Sequence, residues 1–501
     1  MALISRVLGF LRDMIIARYF GADGNTDAFF VAFRIPNLLR RLFAEGSFAQ
    51  ALVPVLSEQR EIRDGPGLKR FLDRTAGSLA LIMLLASVAG MIGAPLLILV
   101  FAPGFLGQGT QFDLSVRMLR ITFPYLFFIT LTAFAGGILN TYGRFAIPAI
   151  TPALLNLLMI TAAIWLAPQL PEPVTALAWG VLIAGAAQLV FQIPALHSAG
   201  LLPRPRLGFH DPDVRRILSR MAPTIFGVSV TQVNLLVDTL IASFLVSGSV
   251  SWLYYSDRLV EFPLGIFGVA IGTVVLPQLA KDHASRDEHN FSRSLDWALR
   301  WVLLIGLPAT SGLMLLAQPL MSTLFQYDEF TSRDVEMAGR SLMTYALGLL
   351  GFIAIKVLAP GFSVRHDLGT LVRYGVYAMF ANVLLSLALV SQLAPYGWGH
   401  AGLALSTALS ALLNSALLLW KLLRDRIYLP QKGWRIYLLR ITSANLAMGG
   451  LLSCAPDVLS WQNWSLAGRV AHLVCWVAAS GATYFLCLWL SGLRPRHLAL
   501  Q

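Results

Sequence analysis

Charge is what this sequence lacks most. Of its 501 residues only 13% are Asp, Glu, Lys or Arg, against roughly 25% in a soluble domain. Cysteine is scarce too. The three present, Cys454, Cys475 and Cys487, fall in or beside the last two apolar stretches. They show neither metal-ligand spacing nor a disulfide framework, and read as apolar helix residues. The eight histidines are scattered over connections, His472 excepted, and none has zinc-type spacing. No Gly-rich loop ends in Lys-Ser/Thr, which excludes ATP hydrolysis through a P-loop. No nucleophile stands with a base, and no connection is long enough to house a catalytic domain. The beginning of the sequence does not read as a signal peptide, because Arg6, Arg12, Asp13 and Arg18 interrupt its apolar run.

Apolar length is what the sequence has. Hydrophobic residues make up 56% of it, and runs of roughly 20 residues, enough to cross about 30 Å of hydrocarbon, recur from end to end. The runs do not alternate, so they predict helices rather than barrel strands. The fold class is an all-α polytopic membrane protein. Spans are expected near 2–19, 26–56, 76–101, 117–139, 147–167, 174–196, 217–245, 251–279, 297–318, 337–360, 372–391, 401–420, 436–454 and 465–490.

The charge on the connections fixes the count. Connections 58–74, 140–146, 197–216, 280–296, 361–371 and 421–435, with the tail, carry Lys and Arg. The alternate ones, 20–25, 102–116, 168–173, 246–250, 392–400 and 455–464, carry none, and 319–336 carries only Arg333. A missed or invented span would break this alternation. By the positive-inside rule the expectation is fourteen transmembrane helices with both termini cytoplasmic. The net charge of +12 follows from the same rule and calls for no nucleic acid.

The sequence also echoes itself. "IIARYF" around Ala17 parallels "LIASFL" around Ala242, and "ALVPVLSEQ" with Pro54 parallels "TVVLPQLAKD" with Pro277. A second echo ends at Asn156 and Asn382. This predicts two pseudo-symmetric six-helix lobes, 1–196 and 217–420, joined by a cytoplasmic linker at 197–216. Residues 421–501 append two more helices and a tail. Lobes of six spans are parallel repeats, and transporters so built bind substrate between lobes near the midplane.

Ionisable residues inside spans are expensive and mark pathways. The first two spans hold Arg6, Arg12, Arg18, Arg34, Arg40 and Arg41 against Asp13, Asp27 and Glu45. Arg34, Asn37, Arg41 and Glu45 share one helical face, with Arg40 beside it. A structural network of ion pairs would neutralise itself, so the surplus of arginine points to an anionic substrate. Arginine binds phosphate oxygens with a planar fork and keeps its charge. Arg6 and Arg18 could instead snorkel to the two interfaces. In the eighth span Arg258 accompanies Asp257 and Glu261. Asp238 and Asn382, polar groups in apolar stretches, could hold a sodium ion or a proton, or simply stitch helices together. With no resident cofactor expected, a sodium ion, the membrane potential, substrate flux or a partner would supply the energy.

The stretch "SRVLGFLRDMIIARYFGADGNTDAFFVAFRIPNLLRRLFAEGSFAQALVPVLSE", residues 5–58, resembles the MviN/MurJ-type lipid II flippases of the multidrug/oligosaccharidyl-lipid/polysaccharide exporter superfamily. "GSVSWLYYSDRLVEFPLGIFGVAIGTVVLPQLAK" (248–281) and "KVLAPGFSVRHD" (356–367) are similar to it as well. The resemblance implies transfer of the undecaprenyl-pyrophosphate-linked peptidoglycan precursor, lipid II, from the cytoplasmic to the periplasmic leaflet of the bacterial inner membrane. It implies required arginines at Arg6, Arg12, Arg40 and Arg258, with Asp27 as an acidic partner. It also implies a groove for the lipid tail on the last two helices, contact with membrane lipids, and other cell-wall synthesis proteins as partners. A flippase for another polyprenyl-pyrophosphate glycan is the near alternative. A drug/cation antiporter would want an acidic cavity, and a polyprenyl-linked glycosyltransferase would want larger loops.

Overall fold

A computed structural model describes residues 2–41, 47–62 and 65–494, and these are helical with short connections. They fall into two compact units, 1–251 and 252–501. The first unit contains α1 (Ala2–Phe20), α2 (Gly24–Arg40), α3 (Ser47–Ile62), α4 (Gly65–Ile92), α5 (Ala94–Phe101) and α6 (Thr110–Thr122). It continues through α7 (Tyr125–Thr141), α8 (Ala146–Thr161), α9 (Thr175–Ser198) and α10 (Pro212–Ala242) to the start of α11 (Ser249–Pro263). The second unit holds the rest of α11, a π-helical turn at Leu264–Gly268, α12 (Val269–Ala284), α13 (Glu288–Leu315), α14 (Ala317–Phe325) and α15 (Ser332–Ala346). There follow α16 (Leu349–Ser363), α17 (Leu368–Leu393), α18 (Gly399–Arg424), α19 (Trp434–Leu452), α20 (Val458–Gln462) and α21 (Leu466–Leu490).

The fourteen expected stretches are largely helical where they are described. Among the described residues, nine helical stretches are long and apolar enough to cross a membrane, and the pair α15–α16, bent by 40°, makes a tenth. Of the others, 2–19 and 436–454 carry charges that lower their hydropathy, while 26–56 and 217–245 extend beyond the described residues or side chains. Several expected single spans are divided. Residues 76–101 form α4 and α5, and 117–139 belongs to α6 and α7, which meet at Phe123–Pro124 because proline has no amide to continue a ladder. The stretch 26–56 spans α2 and α3, with 42–46 outside the described residues. The short helix α20 lies within the expected connection 455–464, and α14 begins at the end of the expected span 297–318 and continues into the connection after it.

Several hydroxyls inside apolar helices are satisfied locally. The hydroxyls of Thr122, Thr130 and Thr151 donate to the carbonyls of Met118, Leu126 and Ile147, each one turn back. In the first unit, Leu52, Val55, Leu56, Phe71, Leu72, Ile138 and Leu139 form a core joining α3, α4 and α7. In the second, Tyr437, Ile441, Met448, Tyr484 and Leu488 fasten α19 and α21 to Leu304 of α13.

The expected linker at 197–216 is strapped to α4. The amides of Arg204 and Arg206 donate to the Asp73 carboxylate at 2.7 Å and to its carbonyl at 2.9 Å. Gly208 N donates to Ser78 Oγ at 3.0 Å, and Arg74 pairs with Asp211 at 2.9 Å. Gly77 permits this, because a Cβ there would lie 2.2 Å from the Arg206 carbonyl.

Candidate functional site

The first unit concentrates the polar groups singled out in the sequence. Gly21, at φ 63°, turns the chain out of α1. Asp23 then caps α2, accepting from the amides of Asn25 at 3.0 Å and Thr26 at 2.9 Å. One turn on, Asp27 is 2% exposed. Its carboxylate accepts from the amide of Gly248 at 2.7 Å, the amide of Ser251 at 2.8 Å and the Ser251 hydroxyl at 2.6 Å. Gly248, at φ 96°, holds a left-handed conformation that aims this turn. Asp27 therefore caps the N-terminus of α11 from another helix, where orphan amides and the helix dipole favour a negative charge.

Arg12 is turned into the seam between α1 and α8. Its Nε and Nη2 donate to Asp13 Oδ1 at 3.0 and 2.6 Å, and its Nη1 donates to Asn156 Oδ1 at 3.0 Å. Asn156 Nδ2 donates in turn to the Ser5 carbonyl at 3.1 Å. The guanidinium and the Asp13 carboxylate are both buried, so this arginine is held by a built network.

Arg34 Nη1 donates to Thr239 Oγ1 of α10, and Arg40 Nε donates to Asn37 Oδ1 at 2.9 Å. Arg34, Asn37, Arg40 and Arg41 are half-buried, whereas Arg6 and Arg18 are exposed. Glu45 lies outside the described residues. Asp238 is half-buried on α10. The structure thus brings Arg12 together with Asn156, and Asp27 with Gly248 and Ser251. Those partners lie 144 and 221 to 224 residues away, beyond the reach of any local sequence signal.

In the second unit Arg258 Nη1 donates to Glu261 Oε2 at 2.7 Å, and its Nη2 donates to the Tyr254 hydroxyl at 3.2 Å. The same guanidinium lies 5.1 Å from the Tyr254 ring centroid, a cation–π contact. Asn382 is fully buried on α17, one turn before Ser386, whose hydroxyl shares a 2.6 Å hydrogen bond with Ser406 of α18. Among the described residues, no three His, Cys, Asp or Glu side chains gather where a metal ion could sit.

Two features of this unit had no signal in span counting. Asp296 is a hub: its Oδ1 accepts from the Tyr428 hydroxyl at 2.8 Å, Gln431 N at 3.0 Å and Trp434 Nε1 at 2.7 Å. Its Oδ2 accepts from Arg300 Nε at 2.8 Å. Burial, then the hydrogen bond to Asp296, pushes the Tyr428 phenol well above its ordinary value. The other feature is Lys356, an exposed lysine on α16 within an expected span.

Charged and polar side chains held inside membrane-length helices mark a polytopic membrane protein with a path for polar cargo. A solved multidrug resistance MATE family transporter of the MOP superfamily, inward-facing, shares the fold, with a TM-score of 0.65 at 15% identity over 85% of this chain and 98% of that one. A structure of lipid II flippase MurJ in an inward closed conformation is nearer, with a TM-score of 0.77 at 25% identity over 97% of this chain and 98% of that one.

The family described as lipid II flippase MurJ matches residues 16–474, and this chain belongs to it. A probable lipid II flippase MurJ of Vibrio cholerae serotype O1 is 44% identical, covering 99% of this chain and 95% of the relative. The lipid II flippase MurJ of Burkholderia cenocepacia is 42% identical over 98% and 96%.

Proposed function

We propose that this protein flips lipid II, the undecaprenyl-pyrophosphate-linked peptidoglycan precursor, from the cytoplasmic to the periplasmic leaflet of the bacterial inner membrane by alternating access. The observation that carries this reading is kinship with lipid II flippases along nearly the whole chain, at 44% and 42% identity. The excess of arginine on α1 and α2 supports it, since a diphosphate with peptide carboxylates is an anion such a surplus attracts.

In this account the chain crosses the membrane fourteen times with both ends in the cytoplasm. Lobes 1–196 and 217–420 rock about the linker at 197–216, and the helices of 421–501 guide the undecaprenyl tail through the lipid. Arg6, Arg12, Arg34, Arg40, Arg41 and Arg258 serve the substrate anion, with Asn37, Glu45 and Glu261 orienting them. Asp27 serves by holding the start of α11. A sodium ion or proton at Asp238 or Asn382, or the membrane potential, would drive the cycle, and other cell-wall synthesis proteins would act beside it.

Complementation tests the reading. In cells depleted of their own lipid II flippase, wild-type chain should restore growth, while Arg40→Ala at equal membrane abundance should not. Growth sustained by Arg40→Ala would overturn the arginine-capture account.

A further inference from the structure

The echo between the repeats extends to one more set of positions. Arg70, Leu72 and Asp73 stand at the same separation from Arg293, Leu295 and Asp296 as Pro54 does from Pro277. Both leucines are fully buried. Both aspartates are buried too, each on the helix that follows the matched proline's own, Asp73 on α4 and Asp296 on α13. A carboxylate buried twice at one register is costly unless each copy is well supplied with donors. Each unit supplies them from the connection that leaves its repeat.

In the first unit that connection is 199–211, between α9 and α10. Asp73 Oδ1 accepts from Arg204 N at 2.7 Å, and Ser78 Oγ accepts from Gly208 N at 3.0 Å. Arg74 pairs at 2.9 Å with Asp211, the N-cap of α10. In the second unit the connection is 425–433, between α18 and α19. Asp296 Oδ1 accepts from Gln431 N at 3.0 Å, and Ser292 Oγ accepts from Leu429 N at 2.9 Å. Arg300 Nη2 donates to the Lys432 carbonyl at 3.2 Å. Each clamp thus joins an aspartate and a serine that take backbone amides to an arginine that holds the chain just before the next helix. That helix then packs on its own unit: Ile217 of α10 joins the core of α3, α4 and α7, and Tyr437 and Ile441 of α19 join Leu304 of α13. Left unpinned, a flexible segment as long as 199–211 would let its ends wander over roughly 20 Å.

We propose that Asp73 and Asp296 are matched positioning residues for transport, which pin the connection leaving each repeat so that α10 and α19 start from fixed points on α4 and α13. The inference rests on the flippase reading above. Neither aspartate touches substrate in this account. A rocking lobe moves the start of the next helix only where the connection has no slack, and buried hydrogen bonds to its backbone remove that slack.

The test uses the purified full-length chain in vesicles, with tryptic cutting and lipid II transfer read side by side. Asp73→Ala should speed cutting after the exposed Arg206 about tenfold, as for a lost charge-assisted hydrogen bond, and should slow transfer about tenfold. Asp73→Asn keeps an acceptor and should stay within about threefold of wild type in both. Asp296→Ala should slow transfer likewise, with faster cutting after Arg426. A cross-link separates positioning from folding. In a chain whose native cysteines are serine, Arg74→Cys and Leu207→Cys are joined by a short bismaleimide. The Arg74 Cβ lies 2.4 Å from where a Cβ on Gly208 would stand, which puts the pair within reach. Joining them should return Asp73→Ala to within about threefold of wild-type transfer. Transfer unchanged by either alanine variant, or unrestored by the cross-link, overturns the proposal. If the wild-type chain transfers no lipid II, the flippase reading fails and the positioning role falls with it, whereas trypsin still reports the clamp.

Discussion

The Asp27 carboxylate receives both the amide and the hydroxyl of Ser251, at 2.8 and 2.6 Å, across 224 residues of sequence. With Gly248 as a third donor, one buried acid fixes where α11 begins. Arg258 lies two turns further along that helix. A residue that looks like a counter-ion for arginine therefore acts, in this conformation, as a helix cap.

Asp27→Ala should orphan three donors and destabilise the protein by about 2–5 kcal/mol, whereas Ser251→Ala should cost about 1–2 kcal/mol. Thermal unfolding in detergent reads both. Equal, negligible shifts would contradict the capping role.

Arg12 makes a sharper case, because its removal leaves Asp13 buried without its partner. Arg12→Ala should destabilise by about 3–5 kcal/mol. Neutralising the acid as well, with Arg12→Ala/Asp13→Asn, should return much of the stability without restoring growth in depleted cells. Restored growth would make Arg12 structural only.

Asp296 gathers four donors at the start of α19 and from α13. Asp296→Ala should loosen the connection 425–433 by several kcal/mol, about 1–3 kcal/mol for each orphaned donor. Faster limited proteolysis of that connection would show it. An unchanged cleavage rate would contradict the hub.

Asp367 supplies a pH dependence. It caps α17, accepting from Thr370 N at 3.2 Å, and hydrogen bonding from Thr370, its side chain first, holds the carboxyl below its ordinary value. A folded pKa below the unfolded one adds stability above about pH 4, which is lost as pH falls through the folded value. Asp367→Asn should flatten that acid limb of the thermal unfolding profile. An unaltered limb would contradict the cap.

Much of the fold is legible because hydropathy and loop charge act locally. The runs of apolar residues correspond to helices, and Arg12 and Asp27 stand out since charge is rare inside them. The echoed positions also share environments: Ala17 with Ala242 and Asn156 with Asn382 are buried, while Pro54 and Pro277 are exposed. The partners are not legible, because a period along one helix says nothing of which distant turn will meet it. The break of α6 from α7 at Pro124 escaped because overall hydropathy stays high across it. Lys356 escaped for a related reason: one lysine hardly lowers the hydropathy of α16, and only the fold shows it exposed among buried and half-buried neighbours.

The central claim is that this chain carries lipid II across the membrane. Depletion in its native cells, followed by labelling of lipid II from the periplasmic face, tests it most directly. The account predicts that accessible lipid II falls while total lipid II accumulates, and that wild-type chain but not Arg40→Ala reverses both. Lipid II that stays accessible at the periplasmic face after depletion would contradict it.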